Sequence, residues 1–169
     1  MRKNIYLIGF MGTGKSTVGR LVAQKLGMEF CDTDAMVEEK SGMTISQIFD
    51  EMDEDAFRGM ETDVLKEITE RKNLVVSTGG GIVVTRGNME LMRSAGSLIT
   101  LMASPEQIFD RIKDDKGRPL LQVANPLDEI KQLIYDRAPF YINTDCIVET
   151  TELSPEDAAE EIIRFVENA

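Results

Sequence analysis

Short apolar runs alternate along this chain with longer stretches in which apolar residues recur at helical spacing. The first pattern is typical of buried strands and the second of amphipathic helices. The predicted strands are Ile5–Gly9, Glu29–Asp32, Leu74–Ser77, Leu98–Met102 and Cys146–Glu149. Strands that alternate with helices indicate an α/β fold, in which helices cover both faces of a parallel sheet. Ligands are then expected at the carboxyl ends of the strands.

Sequence signals mark where several predicted helices begin and end. The starts are Thr44 with Gln47, Ser104 with Pro105 and Gln107, and Ser154 with Pro155 and Asp157. In each, a hydroxyl can accept a backbone amide of the first turn. The first helix, Thr17–Leu26, is predicted to stop at Gly27. No linker, repeat or low-complexity tract divides the chain, so we predict a single domain, residues 1–169.

The composition and net charge limit which partners and which catalytic groups this protein can have. The net charge of −11 disfavours nucleic acid and anionic membranes as partners. The chain has no histidine, so any proton acceptor must be a carboxylate. Cys31 and Cys146 lie far apart in sequence and suggest neither a disulfide framework nor a zinc site. The apolar run after Arg2-Lys3 is broken at once by glycines, so we expect a cytoplasmic protein, and a monomer.

The clearest motif is Gly9-Phe-Met-Gly-Thr-Gly14-Lys15-Ser16-Thr17, which fits G-x-x-x-x-G-K-[ST] and directly follows the first predicted strand. Such a loop lets backbone amides converge on phosphate, and the helix dipole adds partial positive charge. Lys15 is expected to reach the terminal phosphates and Ser16 to ligate Mg²⁺. A plain glycine-rich turn is disfavoured because the strand and helix that the mechanism needs are both present. The predicted nucleotide contacts are Gly12, Thr13, Gly14, Lys15, Ser16 and Thr17.

Two carboxylates, Asp32 and Asp34, stand at the end of the second predicted strand. Their spacing suits one to the metal and the other to a substrate hydroxyl. The same spacing also occurs at helix starts, and Asp34 precedes the helical run Ala35–Lys40, so a capping role remains an alternative.

Two later loops also carry candidate chemistry. Gly79–Gly81 is a run of three glycines, which is entropically costly and suggests that a ligand touches bare backbone. The charged segment Lys113–Val123 is interrupted by Gly117 and Pro119. It is either a mobile solvated loop or a lid that carries Arg118 over the phosphates, and these two interpretations are compatible.

Taken together, these motifs resemble the shikimate kinase family along nearly the whole chain. The signatures are Gly9–Thr17, Asp32–Asp34, Phe57-Arg58-x-x-Glu61, Gly79–Gly81, Gly117–Leu121 and Arg137-Ala-Pro-Phe-Tyr141. The resemblance implies the three-layer P-loop fold of the nucleoside monophosphate kinase group, with a five-stranded parallel sheet. It also implies a lid at about 113–123 and a substrate-binding helical region at about 33–62. The implied reaction transfers the ATP γ-phosphoryl group to the 3-hydroxyl of shikimate in aromatic amino-acid biosynthesis.

On the nucleotide side, the resemblance implies that Lys15 and the loop amides hold the β- and γ-phosphates. Mg²⁺ would be held by Ser16 and, through water, by Asp32. Arg118 would reach the phosphates from the lid, as a catalytic residue together with Lys15. Arg111 and Pro155 stand where the family contacts adenine.

On the acceptor side, the resemblance implies that Asp34 binds the shikimate hydroxyls and accepts the proton. Arg58 and Arg137, with the backbone of Gly80 and Gly81, would hold the shikimate carboxylate. Glu61 would orient Arg58, and Phe57 would line the pocket. Two guanidiniums and one carboxylate also suit a small acid that carries several hydroxyls.

One segment departs from the family's pattern. After Tyr141 the family usually continues with an acidic residue and alanine, whereas this chain has Ile142-Asn-Thr-Asp145. The difference puts local packing in doubt more than chemistry. Arg137 itself could alternatively be a surface arginine at a helix end.

Other functions stay open at this point. A gluconate kinase also has a phosphate loop and a lid, but Phe57-Arg58-x-x-Glu61 together with the triple glycine favours a shikimate kinase. A GTPase switch would carry an Asn-Lys-x-Asp guanine reader, which this sequence lacks. A silent regulatory homologue would have lost Lys15, Asp34 or Arg58, and all three are present.

Overall fold

Five parallel strands form one sheet in the computed structural model, which describes residues 2–115 and 119–169. The strands are β1 (Asn4–Ile8), β2 (Glu29–Asp32), β3 (Leu74–Ser77), β4 (Gly96–Met102) and β5 (Cys146–Glu149). Their order across the sheet is β2-β3-β1-β4-β5, and every neighbouring pair is parallel. The predicted fold class is confirmed. The predicted bounds of β2, β3 and β5 match the structure, whereas β4 begins earlier because Gly96 and Ser97 pair with the start of β1.

Helices connect the strands and cover both faces of the sheet. They are α1 (Lys15–Leu26), α2 (Thr33–Ser41), α3 (Ile45–Glu51), α4 (Glu54–Glu70), α5 (Asn88–Ala95), α6 (Pro105–Ile112), α7 (Pro126–Tyr141) and α8 (Pro155–Asn168). Short 3₁₀ helices lie at Ile82–Val84 and Pro119–Gln122. The hydroxyls of Thr44, Ser104 and Ser154 cap α3, α6 and α8 as predicted. α1 ends at Gly27, whose φ of 64° is left-handed.

The alternation of side chains along β1 divides the core into two layers. Tyr6 and Ile8 pack into one hydrophobic cluster with residues of α4, α5 and α7. Ile5 and Leu7 pack into the other, with residues of α1 and α8. Because successive side chains of a strand point to opposite faces, a central strand covered on both sides is apolar throughout. The phosphate loop therefore starts from a strand that is buried along its whole length.

Polar contacts hold the segment that departs from the family's pattern. The Asp145 amide donates to the carbonyl of Leu98 at 2.9 Å, and a carboxylate oxygen of Asp145 accepts from the Leu98 amide at 2.8 Å. The hydroxyls of Thr144 and Thr100 lie 3.0 Å apart. The doubt about local packing is resolved, because these residues extend the attachment of β5 to β4.

In the residues described, every helix is too short or too polar to cross a membrane. The thiols of Cys31, in β2, and Cys146, in β5, are both free.

Candidate active site

The phosphate loop turns sharply between β1 and α1. Gly9, Gly12 and Gly14 have φ angles of 142°, 76° and 99°, a region that residues with a Cβ rarely adopt. A Cβ at Gly9 would also overlap the carbonyl oxygen of Leu101. Gly14 caps α1 without a side-chain hydrogen bond in the described structure, so backbone amides of the first turn remain for an anion.

Lys15 folds back into this loop. Its Nζ atom donates to the carbonyl oxygens of Gly9 at 2.8 Å and Phe10 at 2.9 Å. Lys15 is only 8% exposed. The ammonium is thus held inside the loop, at the place where it would meet phosphate.

Asp32 accepts three hydrogen bonds with its two carboxylate oxygens. Oδ1 accepts the amides of Asp34 and Ala35 and caps α2, so the capping alternative holds for Asp32. Oδ2 accepts the hydroxyl of Ser16 at 2.9 Å. Ser77, which the sequence analysis missed, places its hydroxyl 3.0 Å from that of Ser16. Its only sequence signal was its place at the end of β3, beside the phosphate-loop strand.

Asp34 and Glu61 approach each other over Gly79. A Cβ at Gly79 would lie 2.6 Å from Oε1 of Glu61 and 2.7 Å from Oδ1 of Asp34. Both oxygens are buried and have no hydrogen-bond partner in the part of the chain that the structure describes. Burial, with help from the charge of Asp32, raises the pKa of Asp34. Burial also raises the pKa of Glu61 to about 7, against the opposing effect of Arg58.

Arg58 lies on α4 beside the glycine run. Its Nη1 donates to Oε2 of Glu61 at 2.6 Å, and its Nη2 donates to Glu54 at 3.2 Å. Its guanidinium lies so close to Gly81 that any Cβ there would overlap it. Phe57 is 5% exposed and packs on Phe49, with ring centroids 4.9 Å apart. The glycine run is therefore needed for side chains of α4 to reach the backbone.

Arg137 approaches the same glycines from α7. Its guanidinium carbon lies 5.6 Å from the ring centroid of Phe10, and its Nη1 lies 3.6 Å from the Cβ position of Gly80. The Tyr141 hydroxyl, one helical turn later, donates to the Gly80 carbonyl at 2.7 Å. Arg137 is half-buried rather than a free surface residue. Two guanidiniums therefore converge on Gly80 and Gly81.

Arg111 lies on the other side of the phosphate loop. Its Nη1 donates to the Gly12 carbonyl at 3.0 Å, and its Nη2 donates to the Thr150 carbonyl at 2.7 Å. Pro155 begins α8, which follows the loop that starts at Thr150. Arg118, the predicted lid arginine, lies outside the described residues.

A cleft of about 290 Å³ joins the phosphate loop to Asp32, Asp34 and the glycine run, whereas Arg58, Arg111 and Arg137 are not part of its lining. It is lined by Met11, Gly12, Gly14, Lys15, Ser16, Thr17, Asp32, Asp34, Ser77, Thr78, Gly79 and Gly80. A larger surface cavity of about 700 Å³, between Arg2, Ser97 and Glu167, lies at the amino-terminal edge of the sheet, away from these groups. The smaller cleft is the candidate active site because it combines a phosphate loop with carboxylates at the carboxyl ends of the strands.

Comparison with known proteins gives a consistent result. A family model described as "Shikimate kinase" matches residues 11–167. The shikimate kinase of Thermodesulfovibrio yellowstonii is 47% identical over 165 residues, covering 98% of this chain and 95% of that protein. The structure of a shikimate kinase from Acinetobacter baumannii in complex with shikimate superposes with a TM-score of 0.95 at 41% identity, covering 99% of this chain and 94% of the other. A gluconokinase from Sinorhizobium meliloti, at 17% identity and a TM-score of 0.63, shares the fold alone.

Proposed function

Because this chain belongs to the shikimate kinase family, we propose that it transfers the γ-phosphoryl group of ATP to the 3-hydroxyl of shikimate. The products are shikimate 3-phosphate and ADP, on the way to chorismate and the aromatic amino acids. One observation supports this assignment most strongly: Arg58 and Arg137 converge on Gly80 and Gly81 beside the carboxylate of Asp34. An acid with several hydroxyls needs this combination of two cations and one hydrogen-bond acceptor.

The phosphate loop is the nucleotide site in this proposal. The amides of Gly12 to Thr17 bind the β- and γ-phosphates, and Lys15 exchanges its carbonyl partners for phosphate oxygens. This exchange keeps the ammonium hydrogen-bonded in both states, so little of its solvation is lost when ATP binds. Phosphoryl transfer depends chiefly on such positioning and charge neutralisation.

Mg²⁺ fits the oxygen donors beside the loop. The Ser16 hydroxyl and the Asp32 carboxylate are hard ligands, they lie 2.9 Å apart, and Mg²⁺ usually takes few protein ligands and keeps several waters. Ser16 would bind the ion directly and Asp32 through water. When bound, the ion neutralises charge on the β- and γ-phosphates.

Asp34 is the proposed proton acceptor. Its Oδ1 oxygen has no hydrogen-bond partner in the described residues, and its raised pKa makes it more basic than an exposed aspartate. Both features suit a group that binds the substrate hydroxyl and then takes its proton as the O–P bond forms. Glu61 holds the guanidinium of Arg58 in place for the substrate carboxylate.

The same proposal assigns two regions of the single domain, residues 1–169. Residues 33–62, which include α2, α3 and the start of α4, form the acceptor-binding region. Residues 113–123 form a lid, and Arg118 adds positive charge over the phosphates when it closes. Arg111 and Pro155 contact the adenine.

A coupled assay of ADP release tests the proposed function. Shikimate, gluconate and nucleoside monophosphates are each offered with MgATP, and shikimate is expected to give the highest kcat/KM. Gluconate as the best acceptor would overturn the assignment and leave only the shared fold. Turnover without any acceptor would point to an ATPase.

A further inference from the structure

Two backbone carbonyls of the phosphate loop, those of Gly12 and Thr13, accept hydrogen bonds from residues far away in sequence. The Thr150 hydroxyl donates to the Thr13 carbonyl at 2.9 Å, and Arg111 donates to the Gly12 carbonyl at 3.0 Å. Thr150 is 3% exposed and follows β5 directly.

Thr150 is itself fixed by further contacts. Its amide donates to the carbonyl of Met102, the last residue of β4, at 2.6 Å. Its own carbonyl accepts from Arg111 at 2.7 Å. The hydroxyl also lies 3.0 Å from the Met102 carbonyl, slightly farther than from Thr13. Thr150 therefore joins the ends of β4 and β5 to the phosphate loop.

The direction of a carbonyl determines the direction of the next amide. In a planar trans peptide, the C=O and the following N–H point in opposite directions. Holding the Gly12 carbonyl with Arg111 thus aims the Thr13 amide away from Arg111. Holding the Thr13 carbonyl with Thr150 aims the Gly14 amide away from Thr150, and Gly14 lines the candidate cleft. Preorganised amides bind an anion without first having to be reoriented.

We propose that Thr150 is a positioning residue for the nucleotide phosphates, which acts by orienting the Thr13–Gly14 peptide of the phosphate loop. This inference rests on the proposed use of that loop as the nucleotide site. It predicts an effect on ATP and ADP and none on shikimate, because Asp34 and Arg58 follow β2, on the opposite side of β1, and Thr150 contacts neither of them.

Replacing Thr150 with valine removes the hydroxyl and preserves the shape of the side chain. Thr150→Val should raise the Kd of MgADP, measured by calorimetry, and the KM of ATP by about fivefold, as expected for one lost hydrogen bond. The KM of shikimate should stay within about twofold. Thr150→Ser keeps the hydroxyl and loses only the methyl group, so the Kd of MgADP and the KM of ATP should match those of the wild type. If the side chain acted only by packing, loss of the methyl group would change these constants.

The matched control is Thr144→Val, which removes a hydroxyl bonded to backbone carbonyls just before β5, at the other end of that strand. It should leave nucleotide binding unchanged. Thr150→Ala carries the same test if the valine variant does not fold. Unchanged MgADP binding in the variants without the hydroxyl, or an equal rise in the KM of shikimate, overturns the inference. Because MgADP binding needs no acceptor, failure of shikimate turnover in the wild type would instead overturn the proposed function.

Discussion

Glu61 has no exposed surface, and its Oε2 oxygen lies 2.6 Å from Nη1 of Arg58. Its other oxygen faces the carboxylate of Asp34 across Gly79. The glutamate thus stands between an attractive cation and a repulsive anion, in a place that excludes water. Removing a single partner from such a buried pair leaves a charge without compensation, which is more damaging than losing a surface ion pair.

The ionisation of Glu61 should make the stability of the protein depend on pH. Its pKa in the folded protein, about 7, lies above the ordinary value of 4.5, so the folded state keeps a proton that the unfolded chain releases. The free energy of unfolding should therefore fall as the pH rises from about 4.5 to about 7, by at most on the order of 3 kcal/mol from this group. Urea denaturation across that range, on the wild type and Glu61→Gln, measures the effect. A pH dependence that is the same in both proteins would show that Glu61 does not titrate there.

Lys15→Ala should retain the fold and lose nearly all turnover. The ammonium is needed on the transferring phosphoryl group, and one such charge contributes roughly 10²–10³-fold or more in kcat. Circular dichroism checks the fold, and the ADP-release assay measures kcat. Lys25→Ala, on the same helix but paired with Glu160 at the surface, is the control and should be fully active. Wild-type turnover in Lys15→Ala would exclude the phosphate loop as the catalytic site.

Asparagine at Asp34 and at Asp32 should affect different steps, the first turnover and the second the Mg²⁺ requirement. Asp34→Asn should abolish turnover and spare MgATP binding, because Asp34 serves the acceptor. Asp32→Asn keeps an oxygen to cap α2 and loses the charge beside Ser16, so it should chiefly raise the Mg²⁺ concentration that activity requires. Calorimetry with MgATP and a magnesium titration of activity distinguish them. Equal loss of nucleotide affinity in both variants would mean that these roles are wrongly divided.

Lysine at position 58 or 137 should weaken shikimate binding selectively. The substitution keeps the charge and removes the planar fork, so the loss is roughly 1–3 kcal/mol for one charge-assisted contact. Shikimate and ATP constants are measured on Arg58→Lys and Arg137→Lys. Arg93→Lys is the control, since Arg93, on α5, donates to the Asn143 side chain at the surface. If ATP affinity drops as far as shikimate affinity, these arginines serve the nucleotide instead.

Alanine should lower kcat at Gly79 and should stabilise the fold at Gly59. At Gly79 a Cβ would lie 2.6 Å from Glu61 and 2.7 Å from Asp34, so Gly79→Ala should displace both carboxylates and lower kcat by roughly 10²-fold. Gly59 lies inside α4 with open space around its Cβ position. Gly59→Ala should raise the free energy of unfolding by about 0.5–1 kcal/mol. The ADP-release assay measures the kcat of Gly79→Ala, and thermal unfolding measures the stability of Gly59→Ala. Normal activity of Gly79→Ala would show that the carboxylates adjust without loss.

Local patterns predicted most of the architecture. The apolar run of β3 and the caps at Thr44, Ser104 and Ser154 depend on neighbouring residues, so the sequence alone shows them. The start of β4 was predicted too late, because Gly96 and Ser97 join the strand only through pairing with β1. That pairing is a long-range property without a local signal.

The candidate site divides in the same way. The phosphate loop and the glycine run are visible as motifs, but the reason for Gly79 is the meeting of Asp34 and Glu61, which come from different helices. The contact between Thr150 and Thr13 joins positions 137 residues apart, and no local sequence pattern around Thr150 predicts it. Burial of Lys15 is likewise a result of packing.

β1, at the centre of the sheet, lies between most of the residues proposed to bind the acceptor and those proposed to bind the adenine. The strands on one side of it, β2 and β3, lead into Asp34 and the glycine run, whereas β4 and β5, on the other side, lead into Arg111 and Thr150. Arg137 and Tyr141 reach across to Gly80, from α7. Mutation within residues 33–62, a range without Asp32 and Ser77, can therefore change the preferred acceptor while the groups around Ser16 stay unchanged. Selection for a new acceptor acts on a part of the chain that can diverge without loss of the ability to use ATP.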